Sequence, residues 1–253
     1  MKASALLFRF RMIVLATIII IGFFAPWIQL WGVGKRISLL EWLALELSRA
    51  GLLSFTVATP VVIVCAALLA AIGAWLRIWA SAYLGHGIVI GARMQAAAVN
   101  ADGPYRYVRN PLYLGMILWV AAMCVIMPAT GALFVLIGVP LVALGLIAGE
   151  ESFLAAKLGD PYRAYLRAVP RLFPRLRTTL QPSGNKPHWL QAVTSEITPI
   201  GVFITIAFLS WTYDSRLMER AIMISFGVSL VARALILGIK PKSSTDAPVS
   251  LPE

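Results

Sequence analysis

The sequence predicts an all-α fold, a polytopic integral membrane protein with about six transmembrane helices and a cytoplasmic amphipathic helix after the fourth. Two observations carry this prediction. Apolar side chains make up 60% of the 253 residues and charged ones only 13%, where a soluble domain has about 45–50% and about 25%. The mean hydropathy of +0.83 agrees. The apolar residues also gather into runs near the roughly 20 residues that cross about 30 Å of hydrocarbon.

Those runs cover residues 12–30, 55–80, 111–128, 130–148, 197–213 and 221–239. The first is too long for a secretory signal and lacks a small-residue cleavage site. Pro128-Ala129-Thr130-Gly131 is a very short turn, so the third and fourth runs form an antiparallel hairpin. Pro140 inside the fourth is tolerable in a membrane and kinks it. Asp160-Pro161 reads as an N-cap followed by proline at the first helical position. The helix it starts, residues 161–168, sets Tyr162, Tyr165 and Leu166 against Arg163 and Arg167, the pattern of a helix lying on a membrane surface.

Basic residues set the orientation. Lys2, Arg9 and Arg11 precede the first run, Arg93, Arg106 and Arg109 follow the second, and Lys157, Arg163, Arg167, Arg171, Arg175 and Arg177 follow the fourth. An even number of spans puts all of them, and both termini, on the cytoplasmic side. The net charge of +11 therefore sits mainly on one membrane face, where it attracts anionic lipid. Nucleic-acid binding is excluded for want of a basic domain outside the membrane. Cys65 and Cys124 lie within apolar runs and suit core packing; neither a disulfide framework nor a metal site is indicated. Three stretches follow: residues 1–54 with one span and an outer loop, a membrane core over 55–180, and 181–253 with a linker, the last two spans and a tail.

Chemistry is concentrated in Gly103-Pro104-Tyr105-Arg106-Tyr107-Val108-Arg109-Asn110-Pro111-Leu112-Tyr113-Leu114-Gly115 and in Glu150-Glu151. Asn110-Pro111 opens the third helix, whose N-terminus carries partial positive charge and unpaired N–H groups. The planar fork of Arg109 fits a carboxylate or phosphate. This is either an anion site or a flank that only sets topology. Glu150 and Glu151 point about 100° apart on a helix; they hold a ligand ammonium or pair with Arg106 or Arg109. Glu151 is the choice for the inner position, because Leu154 and Leu158 follow it at i+3 and i+7. Arg77 either snorkels to the surface or contacts a ligand. Tyr105, Tyr107 and Tyr113 are either an aromatic belt or ring faces for a cation. His86 and His188 stand in separate loops without neighbouring ligands for zinc or iron. A channel or transporter would show broken helices or ionisable groups mid-membrane, and the run centres are almost wholly apolar.

Residues from about 76 to 174 resemble the isoprenylcysteine carboxyl methyltransferase and phospholipid methyltransferase family of integral membrane enzymes. Three blocks in order carry the resemblance: Gly103 to Gly115 as quoted, similar to G-P-Y-x-x-x-R-H-P-x-Y-x-G; Glu150-Glu151-x-x-Leu154; and Leu158-Gly159-Asp160-Pro161-Tyr162-x-x-Tyr165 followed by Val169-Pro170-Arg171-x-x-Pro174. It implies methyl transfer from S-adenosyl-L-methionine, bound on the cytoplasmic side, to a lipophilic or lipid-linked acceptor in the bilayer. An isoprenylcysteine carboxyl methyltransferase-like activity is the first reading, aminophospholipid N-methylation the alternative, and a non-catalytic membrane scaffold the rival from another class. The cofactor contacts it implies are Gln95, Gly103, Tyr105, Arg109, Asn110, Pro111, Tyr113, Glu150 and Glu151, with Arg109 and Glu151 catalytic. The substrate contacts are Arg77, Tyr162 and Tyr165; no metal takes part. Asn110 stands where many members have histidine, and Gln95 is nearest to another family histidine. Glutamine can hydrogen-bond a ligand but cannot shuttle a proton. For a prokaryotic chain the location is a bacterial-type inner membrane.

The topology is testable with cysteines introduced at Ser183 and Ser215. Impermeant reagent added to spheroplasts labels Ser215→Cys and spares Ser183→Cys; the opposite pattern inverts the orientation.

Overall fold

The computed structural model describes residues 2–84, 101–178, 180–182 and 184–238. The regular structure of these residues is all helical, and their one β-type pairing is an isolated bridge between Ser38 and Pro128. In chain order the helices are α1 (Lys2–Phe24), α2 (Pro26–Trp31), α3 (Leu39–Arg49), α4 (Phe55–Leu84), α5 (Pro111–Met123), α6 (Ala129–Leu158), α7 (Asp160–Ala168), α8 (Trp189–Ser195), α9 (Ile197–Ile204) and α10 (Ser215–Gly238).

Among the described residues, three helical stretches are long and apolar enough to cross a membrane: Leu7–Trp31, Phe55–Leu84 and Ala129–Leu158. The count becomes four if α8 and the stretch Ile197–Thr212, bent by 68°, are one broken span. This replaces the six expected spans. The third apolar run is only the 13 residues of α5 plus a 3₁₀ turn, Cys124–Ile126. The fifth passes from α9 through a π-turn, Thr205–Leu209, into a 3₁₀ turn, Ser210–Thr212. Hydropathy registers the apolar length of such a segment and is blind to where its hydrogen bonding changes type. The sixth run lies within α10 as far as residue 238.

Glycine decides how the helices pair. A Cβ on Gly73 of α4 would stand 2.7 Å from the Trp119 backbone N, and one on Gly115 of α5 would stand 2.8 Å from the Gly73 carbonyl oxygen. A Cβ on Gly131 of α6 would come within 1.9 Å of the Gly22 carbonyl oxygen of α1. Backbones approach this closely in membranes where small residues remove the side chain between them. The short connection 124–128 does join α5 to α6, yet each packs mainly against another partner, α5 on α4 and α6 on α1.

The expected outer loop holds a helix. Ser38 and Glu41 form a reciprocal capping box at the start of α3, and Leu39 N–H bonds to the Met127 carbonyl at 2.8 Å. This ties α3 to the turn between α5 and α6. Buried side chains from α1, α4, α5 and α6 share one core with Val202, Ile206, Met218 and Ile222 from the C-terminal segment.

The amphipathic helix after the fourth run is α7, but its apolar side faces protein. Tyr162, Tyr165 and Val169 are buried against Leu154, Ala155 and Leu158 at the end of α6, while Arg163 and Arg167 are exposed. A surface-helix pattern arises equally whether the apolar stripe meets lipid or a neighbouring helix. The cap also shifts by one residue: Gly159, at φ +64°, precedes the helix and Asp160 is its first residue.

Gly115→Ala forces apart α4 and α5, since its Cβ would also stand 2.6 Å from Arg77 Cγ. A cost of about 1–3 kcal/mol is expected, the usual range for overpacking. A fall in the thermal unfolding midpoint of purified protein reads this out; an unchanged midpoint contradicts the close contact.

Candidate functional site

The blocks separated by about forty residues in sequence meet at one end of the bundle. The motif glycine Gly103 sits at φ +54°, and a Cβ there would meet the Tyr83 ring at 2.4 Å. The chain turns through a 3₁₀ segment, Gly103–Arg106, that buries Pro104 and Tyr105, and reaches α5 at Pro111. On the other side α6 runs past its apolar stretch and carries Glu150 and Glu151 in its final turns.

Glu151 is buried and heavily bonded. Arg171 donates to its Oε2 from Nη2 at 2.7 Å and from Nε at 3.1 Å. Asn110 Nδ2 donates to Oε1 at 3.2 Å, and Arg109 Nε lies 3.4 Å from the same oxygen. Asn110 therefore does not cap α5 with its side chain; its amide joins Glu151 to the Arg171 carbonyl instead. A side chain that can satisfy a buried carboxylate relieves a larger penalty than one more orphan N–H at a helix start. Arg109 is held by a bond from Nη1 to the Leu166 carbonyl at 3.1 Å. Its Nε, like the Tyr105 hydroxyl, is buried without a hydrogen-bond partner.

Glu150 is differently placed. Its Oε2 accepts a hydrogen bond from the Tyr113 hydroxyl at 3.1 Å, and Arg11 of α1 acts on it electrostatically. Glu151 is the more buried of the two and takes both arginines, while Glu150 takes the tyrosine. Residue spacing gives the angle between two side chains, but the partner each meets depends on the strand of chain that returns over them, here 169–171.

Arg77 neither snorkels to the surface nor stands open to a ligand. Its guanidinium pairs with Glu196 through Nε at 2.5 Å and Nη2 at 3.0 Å, and Nη1 donates to the Leu112 carbonyl at 3.1 Å. Glu196 is fully buried and also accepts from Ser81 Oγ at 2.6 Å. Tyr162 and Tyr165 are buried in the α6–α7 contact, with the Tyr165 hydroxyl donating to the Tyr105 carbonyl at 2.8 Å. Neither is exposed to a substrate. Gln95 lies outside the described residues. Among those described, no group of three His, Cys, Asp or Glu side chains could hold a metal ion.

Three residues escaped the sequence reading. Arg171 lay inside a quoted motif, but nothing in its neighbours marks a carboxylate partner twenty residues earlier. Arg11 looked like a topology flank, and Glu196 sits in a segment without any motif. The one signal available for Glu196 was its charge between two apolar stretches.

Residues 61–160 match the family model for phospholipid methyltransferase. The match agrees with the resemblance carried by the Gly103–Gly115 and Glu150-Glu151 blocks, and points to a membrane methyltransferase. The matched segment runs from early α4 to the start of α7, so it contains Arg109, Asn110, Tyr113, Glu150 and Glu151. Arg171 and Glu196 lie beyond it. No curated protein and no solved structure gives a significant match to the chain.

Burial raises the phenol pKa values of Tyr105, Tyr162 and Tyr165, with negative charge at nearby glutamates adding to the effect on each. A phenol whose folded value lies above its unfolded value supports folding fully below the unfolded value, about 10. That support is lost as pH rises through the folded values. Stability is therefore expected to fall above about pH 10. Tyr165→Phe removes one of these phenols and one hydrogen bond, costing about 1 kcal/mol at neutral pH while flattening the alkaline loss. Thermal midpoints measured across pH test both parts, and an unchanged alkaline profile in the variant contradicts the assignment.

Proposed function

We propose that the protein transfers a methyl group from S-adenosyl-L-methionine to a lipophilic acceptor, at the site formed by the start of α5, the end of α6 and the 169–171 segment. The observation that carries the proposal is the meeting of Arg109, Asn110 and Tyr113 with Glu150 and Glu151 inside the segment that matches the methyltransferase family. The residues present fit such a donor. The Tyr105 hydroxyl is a buried donor without an acceptor, suited to a carboxylate or a ribose oxygen, and the Arg109 guanidinium beside Glu151 adds positive charge. Glu150, bonded by a neutral hydroxyl rather than an arginine fork, is the better partner for an ammonium.

In this proposal Glu151 orients: with Arg171 and Asn110 it fixes Arg109, so that the guanidinium faces the ligand without side-chain search. Asn110, Pro111 and the open N–H groups of the first turn of α5 add partial positive charge for the donor carboxylate. Gly103 shapes the turn that buries Tyr105, and Tyr113 lines the space beside Glu150. When bound, the donor supplies an electrophilic methyl on a sulfonium, and the reaction is an in-line displacement. The protein's work is positioning and exclusion of water. A carboxylate acceptor needs no base; a protonated amine acceptor must lose a proton, for which Glu150, hydrogen-bonded by the Tyr113 hydroxyl, is the nearest carboxylate not held by an arginine fork. The acceptor classes are an isoprenylcysteine carboxylate and an aminophospholipid, both delivered from the bilayer.

Calorimetry on purified protein in detergent is expected to show binding of S-adenosyl-L-methionine. Arg109→Lys weakens it by about 1–3 kcal/mol, and Glu150→Gln weakens it about tenfold. Binding without turnover on any membrane extract supports a scaffold that has kept the fold. Full affinity in both Arg109→Ala and Glu150→Gln removes the site. Membranes incubated with methyl-labelled donor then identify the acceptor, as a base-labile ester for a carboxylate or a base-stable headgroup for an amine.

A further inference from the structure

The C-terminal segment lies outside the family match, yet it contributes the most deeply buried charge of the described residues. Glu196, 0% exposed, sits at the junction of α8 and α9. Its carboxylate is bound from α4: Arg77 binds both oxygens and Ser81 binds one. Two further contacts dock the same junction on α4. The rings of Trp75 and Trp189 stack at 5.9 Å, and His188 N–H bonds to the Ala82 carbonyl at 2.8 Å.

Arg77 still has one nitrogen to spend, and Nη1 gives it to the Leu112 carbonyl in the first turn of α5. Leu112 stands between Pro111 and Tyr113, so the bond holds the turn that presents Asn110 to Glu151 and Tyr113 to Glu150. A lone arginine with four rotatable bonds would not fix that turn. One clamped at two nitrogens by a buried carboxylate loses its freedom and becomes a rigid strut. The close approach of Gly115 to Arg77 Cγ keeps the stem of that strut against α5.

We propose that Glu196 is a positioning residue for the site: it sets Arg77, and Arg77 sets the first turn of α5. The inference rests on the methyltransferase reading only for what the turn binds; the mechanical claim stands without it. The last helices thereby gain a role, as the outer support of a site built from the matched segment. Arg77 gains one too, as a support rather than a substrate contact.

The experiment uses the full chain in detergent. In Glu196→Gln, hydrogen exchange of the amides of residues 114–117 is expected to rise about fivefold or more, as local opening becomes easier. Exchange across the α1–α6 contact around Gly22 and Gly131 stays as in the wild type. Affinity for S-adenosyl-L-methionine falls about tenfold at a temperature where the variant is folded. A double variant, Arg77→Met with Glu196→Met, separates positioning from stability, because a well-packed apolar pair can replace a buried ion pair without loss of stability. It is expected to recover the thermal midpoint but neither the affinity nor the slow exchange at 114–117. If Glu196→Gln does not fold, Ser81→Ala loosens the same carboxylate and is expected to raise exchange at 114–117 by a smaller factor. Unchanged exchange at 114–117 in the folded variant overturns the proposal, as does a double variant that regains both affinity and slow exchange. If the wild type does not bind the donor, the methyltransferase reading fails, and the exchange data still decide the role of Glu196.

Discussion

Two carboxylates stand where the surroundings are too apolar to leave a charge alone, and this end of the bundle is arranged around pairing them. Glu151 draws in Arg109 and Asn110 from the chain just before α5 and Arg171 from the segment after α7. Glu196 draws in Arg77 and Ser81 from α4. An uncompensated buried charge costs several kcal/mol, so each carboxylate fixes the relative placement of the elements that supply its partners. Between them, the two clusters hold all the segments that frame the candidate site.

The clusters depend in turn on helices that approach closely enough to share side chains. Gly73 and Gly115 let α4 and α5 touch backbone to backbone, and this contact brings Arg77 over the Leu112 carbonyl. Gly22 and Gly131 do the same for α1 and α6 and bring Arg11 within electrostatic reach of Glu150. Hydrophobic burial cannot select such pairs inside a bilayer, where lipid is as apolar as leucine; shape and hydrogen bonding select them. Small residues at a few positions therefore govern polar contacts elsewhere along the same helices.

The asymmetry between Glu150 and Glu151 has a chemical meaning. Glu151 is saturated by cationic and amide donors and can only orient what surrounds it. Glu150 has a neutral hydrogen-bond partner in Tyr113, with Arg11 of α1 acting on it electrostatically.

Composition and apolar run lengths determined that the chain is helical and built for a membrane, because burying backbone in hydrocarbon leaves few alternatives. The spacing of the Gly103–Gly115 and Glu150-Glu151 blocks located the candidate site, since motif residues keep their local geometry wherever the helices go. The sequence overcounted spans, because apolar length alone does not register the shortness of α5 or the π-turn after α9. It gave α7 to the lipid, because an apolar stripe does not name what covers it. The partners of the buried carboxylates were decided by tertiary structure: Arg171 for Glu151 and Arg77 for Glu196 join residues 20 and 119 positions apart. Such pairs leave no local pattern, since they exist only once glycine contacts and a returning chain have brought the two side chains within reach in a medium where neither can remain alone.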